Sequence, residues 1–195
     1  QVNQRLGVLG DLDDGTMARH SEFNNVEAKA ICGASMLPFR TACKGPVNTS
    51  KVGSFEGDAD KKDIIDEAIH YYRANVLFRN YEMNGKADRL IVYLTLYISA
   101  CLQRIEKCSS PKEAEKALQT YAIEPFALPG QHGFPFSSFF EKPATPAEAD
   151  EFKAYFKQLR EETGQRMVSV AFTEEGTPNK FWVAFSRRKF MNTAL

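Results

Sequence analysis

An excess of charge of one sign is missing from this chain: Lys and Arg together number 25, as do Asp and Glu, for a formal net charge of zero. Nucleic acids and acidic lipid surfaces recruit chains with a positive excess, so neither is expected as a partner and only local patches remain. Histidine and cysteine are scarce, at three and four residues. Cys32, Cys43, Cys101 and Cys108 form no Cys-x-x-Cys pair and share no ligand spacing with a histidine, which argues against a zinc site. Cys101 and Cys108, placed on one helix, would lie about 10 Å apart along its axis, too far for a disulfide. Reduced thiols and a cytosolic location are the expectation.

Long apolar runs are also lacking. The longest, Leu90 to Leu102, covers about 20 Å as a helix, short of the ~30 Å of a bilayer core, so no membrane span is expected. Gln1 to Thr16 holds no apolar core of signal-peptide type and carries Asp11, Asp13 and Asp14. Residues 1–25 are read as a flexible extension and 26–195 as a single helical domain.

What the chain does contain is apolar bulk: 43% hydrophobic residues and 15 Phe, enough for one substantial core. Leu90–Leu102 has no charge and no polar stripe, so it reads as a helix buried on every side, extending over about 86–107. Burying such a helix in water requires other helices around it. The expected fold is therefore mainly α, about five helices with that one at the centre.

A first helix is expected from about Lys61 to Tyr81, capped by Asp60 or Asp63. Ile65, Ala68, Ile69, Tyr72 and Val76 make its apolar stripe, and Asp66, Glu67, His70 and Arg73 its solvated face. Ser110-Pro111-Lys112-Glu113 and Thr145-Pro146-Ala147-Glu148 are capping boxes with proline at the first helical position, starting helices to about Tyr121 and Thr163. Gly164 is placed to end the second. Alternation in Arg166–Phe172 and again in Lys180–Ser186, separated by a Gly- and Pro-containing break, predicts a small C-terminal β-hairpin, with helical continuation as the competing assignment.

Chemistry-bearing motifs are few. Gly85-Lys86 is no phosphate loop, since Asn80 stands where its first glycine belongs and Ala87 where its hydroxyl belongs. Asp66 and Glu67 are adjacent on a helix and splay about 100° apart, a poor catalytic pair. His70 reads as a surface residue beside Asp66, and His132 as a loop histidine. No catalytic, cofactor or metal role is assigned to any residue, and no enzyme activity is expected.

Several segments carry a resemblance, in one order from about Ala18 to Leu195. Asp63-Ile64-Ile65-Asp66-Glu67-Ala68-Ile69, Tyr72-Arg73-Ala74-Asn75-Val76, Ala87-Asp88-Arg89, Tyr93-Leu94-Thr95-Leu96-Tyr97-Ile98-Ser99, Gly133-Phe134-Pro135 and Phe190-Met191-Asn192 resemble the family of subunit 3, the 21 kDa subunit, of the actin-related protein 2/3 complex. The resemblance implies a non-catalytic structural subunit of a seven-protein assembly that nucleates branched actin filaments. It implies docking on actin-related protein 3, contact with actin-related protein 2 in the active state, and only indirect contact with the filament. It also implies no cofactor of its own and a place in the cytoplasmic actin cytoskeleton at the cell cortex, lamellipodia or actin patches. The alternative is a small cytosolic helical interaction module acting outside that complex.

Interfaces concentrate aromatics and arginine. The candidate partner contacts are therefore Leu37, Pro38, Phe39 and Arg40; Gly133, Phe134 and Pro135; and the basic end Arg187, Arg188, Lys189 with Phe190.

Overall fold

The structure, a computed structural model, describes residues 17–48, 62–193 and 195. Most of the Lys44–Asp58 stretch, the Asp60 alternative cap and residues 1–16 of the expected extension lie outside them. Two short strands, β1 (Ala30–Ile31) and β2 (Ala34–Ser35), are followed by α1 (Ile64–Asn75), α2 (Asp88–Ile105), α3 (Pro111–Ile123), α4 (Pro146–Ala171) and α5 (Lys180–Val183).

Helix α2 is the axis of the molecule: every residue from Leu90 to Leu102 is buried, and α1, α3, α4 and α5 all pack against it. The hydroxyls of Thr95 and Ser99 in it are satisfied locally, whereas the buried Tyr97 hydroxyl has no hydrogen-bond partner among the described residues. Thr95 Oγ1 donates to the Ile91 carbonyl (2.7 Å), Ser99 Oγ to the Thr95 carbonyl (3.1 Å), and Tyr72 Oη lies 3.0 Å from Ser99 Oγ. A hydroxyl that hydrogen-bonds one turn back can sit in an apolar core at little cost.

Asp63 caps α1 in a complete capping box with Asp66. The Ser110 and Thr145 hydroxyls accept from the Glu113 and Glu148 amides (3.3 and 3.1 Å), but the two carboxylates reach one residue beyond the caps, to the Ser109 and Ala144 amides (2.8 and 2.7 Å). Both helices thus start where their sequence signals place them.

The C-terminal hairpin is corrected. Residues 166–171 continue α4 and 180–183 form α5, leaving a single antiparallel bridge between Phe172 and Pro178 around the expected break. Met167 and Ala171 lie one helical turn apart and both are fully buried, so tertiary packing overrides the β-propensity of the valines. The small two-stranded sheet lies instead at 30–35, where Cys32 (φ 47°) and Gly33 (φ 80°) form the two-residue, positive-φ turn that matches strand twist. Gly164 does not end α4. It sits buried in mid-helix, where an added Cβ would stand 3.4 Å from Leu118 Cβ, so α3 and α4 approach closely there.

Candidate functional site

The segment Leu37–Arg40 is pinned between α1 and α4. Leu37 and Phe39 are buried; Tyr155 Oη donates to the Leu37 carbonyl (2.9 Å), and the Phe39 ring meets the edge of Tyr155 at 5.8 Å. Beside them Arg166 donates to Asp63 Oδ1 (2.7 Å), Asp63 Oδ2 (2.8 Å), Asp66 Oδ1 (2.7 Å) and Glu162 Oε1 (2.8 Å). Arg40 joins through its side chain to Asp66 and through its amide to Asp63 (2.9 Å). Burial pushes the Asp63 carboxyl up, but the Arg166 hydrogen bonds and charge, with the Arg40 and Asp66 amides, hold it below the usual carboxylate range. Two guanidiniums against three carboxylates tie three segments together.

Asp66 and Glu67 are not a solvated face. They splay apart as adjacent helical residues must, but each is engaged: Asp66 in the Arg166 cluster, and buried Glu67 with the Ser21 hydroxyl (2.6 Å) and the Glu22 amide (2.7 Å). Burial raises the Glu67 pKa. Fully buried Asp88 accepts from the Ser21 amide (2.8 Å), Asn24 Nδ2 (2.9 Å) and the Asn84 amide (2.8 Å), and lies 2.9 Å from His20 Nδ1. From residue 19 onward, then, the N-terminal segment is fixed on α1 and α2. His70 is exposed and packs on Tyr71 rather than pairing with Asp66.

In the aromatic loop Phe134 folds into the core against Phe140 (5.1 Å) and Phe152 (6.1 Å), leaving Gly133 exposed at φ 88° and Pro135 half-buried. At the basic end Arg187, Arg188 and Lys189 are exposed, whereas Phe190 is fully buried against Tyr81 and Phe136, both at 5.8 Å. Arg187 reaches Glu106 Oε1 (3.1 Å) and Ser186 Oγ reaches Glu106 Oε2 (2.9 Å); the Ser186 hydroxyl first, then Arg187, hold the Glu106 pKa down.

Four of the candidate contacts are therefore corrected: Leu37, Phe39, Phe134 and Phe190 are core residues of this chain, because the apolar member of each short motif inserts while its proline, glycine or cation stays outside. Pro38, Arg40, Gly133, Pro135, Arg187, Arg188 and Lys189 keep surface. The aromatic that does stand out is Phe181, 75% exposed on α5, next to Trp182, whose ring lies under Arg73 at 5.7 Å. Sequence reasoning passes over Phe181 because it assigns that segment to a strand. All four cysteines are free, and no group of three or more potential metal ligands occurs among the described residues.

The model of the P21-Arc family, the ARP2/3 complex ARPC3 (21 kDa) subunit, matches residues 16–195. Among curated proteins the chain is similar to actin-related protein 2/3 complex subunit 3 of Arabidopsis thaliana, at 43% identity over 92% of this chain and 99% of the relative. Its similarity to the proteins of the same name is 41% in Dictyostelium discoideum, over 92% of this chain and 100% of the relative, and 39% in Schizosaccharomyces pombe, over 91% and 99%. Matches of this extent span the docked segment 19–25, the central helix and the basic end alike, and the chain belongs to the family of the 21 kDa subunit, subunit 3, of the actin-related protein 2/3 complex.

Proposed function

We propose that this chain is a non-catalytic structural subunit of the seven-subunit actin-related protein 2/3 complex, docking on actin-related protein 3 and meeting actin-related protein 2 in the active state, so that the complex nucleates branched actin filaments. The observation that carries this reading is the family match over residues 16–195, joined to relatives above 39% identity across nearly their whole length. The architecture suits a mechanical role. A body built round one buried helix moves as a unit, and its charged cluster of Arg40, Asp66, Glu162 and Arg166, though it lines a surface cavity, is engaged in holding segments together. Exposed Arg187, Arg188 and Lys189, with Gly133, Pro135, Pro38 and Arg40, supply the partner contacts. Actin-related neighbours are met at the cytoplasmic actin cytoskeleton, at the cell cortex, lamellipodia or actin patches.

Reconstitution tests this reading. A complex assembled without the chain should form few branches when mixed with actin, an activating protein and preformed filaments, and adding the chain back should restore them. Full branching in its absence would sink the proposal.

A further inference from the structure

Arg160 is a buried cation without a counter-charge. It is 3% exposed, and no carboxylate among the described residues lies within ion-pair distance of it. Nη2 donates to the Tyr121 carbonyl (2.7 Å) and Nη1 reaches the Glu124 carbonyl at 3.4 Å, while buried Nε has no acceptor. The rings of Phe126 (4.7 Å), Tyr121 (4.9 Å) and Tyr97 (5.1 Å) surround the guanidinium. Cation–π contacts and two carbonyls stabilise a buried arginine, but they leave its charge unneutralised where the dielectric is low. Arg166, on the same helix, shows the contrast: it meets three carboxylates.

A cavity of about 230 Å³ adjoins Arg160, walled by Tyr93, Tyr121, Phe126, Phe134 and Pro135, and Leu195 of this chain also lines it without coming within ion-pair distance of Arg160. Glu124 also lines it, but offers Arg160 its carbonyl and not its carboxylate. Sites for whole small molecules run to roughly 300–1,000 Å³, so this one is sized for a single side chain. Gly133 lies at its edge, exposed, with nothing within 4 Å of where a Cβ would stand, so another chain can come up close there.

We propose that this pocket is a socket for one acidic side chain of a partner subunit, its carboxylate accepting from Arg160 and its methylenes packing on the aromatic walls. The inference rests on the reading that the chain works inside the complex. It assigns to the Gly133–Pro135 loop a specific task, framing an acid-accepting socket.

The full-length chain carrying ¹⁵N, titrated with sodium propionate as a carboxylate probe, gives a direct test. The Arg160 Nε–H resonance, assigned by its loss in Arg160→Lys, should shift saturably with propionate and stay still with propionamide. Ala127→Phe, which adds a ring to the wall of the cavity, should abolish the shift and lower recovery of the other subunits about tenfold. An Arg160 resonance indifferent to propionate overturns the socket. So does an Ala127→Phe chain that assembles as well as the unaltered one. Should that variant fail to fold, the propionate titration of the unaltered chain decides alone. An unaltered chain that recovers no partner subunits contradicts the proposed function itself, a failure seen before any variant is made.

Discussion

Arg166 donates to three carboxylates, and one of them, Asp63, has no solvent exposure at all. Arg166→Met should therefore cost about 3–5 kcal/mol, the penalty for leaving a buried charge without its partner, read as a fall in the urea midpoint near neutral pH. The pH dependence has a definite sign. Asp63 has a folded-state pKa below its ordinary value of 3.8, so its contribution is fully present above that value and lost as pH falls through the lower folded pKa. Without Arg166, burial is opposed only by Arg40 and the Asp66 amide, and the balance moves toward the protonated acid. The gap in stability between the unaltered chain and Arg166→Met should thus narrow on acidification below about pH 4; a constant gap would show that Arg166 acts through packing alone. Gly164 gives a second residue-scale test. Its absent Cβ would stand at ordinary contact distance, 3.4 Å, from Leu118, so Gly164→Ala should raise stability by up to about 1 kcal/mol through helix propensity, while Gly164→Leu should lower the melting temperature.

At the scale of elements, α2 carries the fold. Leu96 is 1% exposed, and Leu96→Ala should cost about 2–5 kcal/mol through lost burial and a cavity; an unchanged thermal melt would remove α2 from the centre of this account. This helix is legible in the sequence because an uncharged run of that length, too short to cross a membrane as a helix, can be covered only by other helices packed around it. The helix starts at Asp63, Ser110 and Thr145 are legible too, since caps are local chemistry. The end of α4 is not. Gly164 and the valines after it carry stop and strand signals, and only the fit of Met167 and Ala171 into the core, with Arg166 reaching Asp63 a hundred positions earlier, keeps the helix going. Long-range pairing leaves no mark in local spacing. The same holds at the candidate surface, where composition picks out motifs but cannot say that Phe39, Phe134 and Phe190 turn inward while Arg187 turns out.

For the whole molecule, the zero net charge conceals an uneven distribution: the carboxylates of Asp63, Glu67 and Asp88 face inward to hold segments, while Arg187, Arg188 and Lys189 face solvent. Reversing those three to Glu should weaken incorporation into the complex without changing the helical signal of the isolated chain, since among the described residues Arg187 alone of the three side chains has a partner, at a site 86% exposed. Retained incorporation would remove the basic end from the interface. The central claim, that this body exists to be built into the branching machine, is tested most directly by affinity purification of a tagged copy from its native cytosol, with mass spectrometry of what accompanies it. Two actin-related proteins and four further subunits in near-equal amounts are the predicted result; a chain recovered alone, folded and monodisperse, would contradict it.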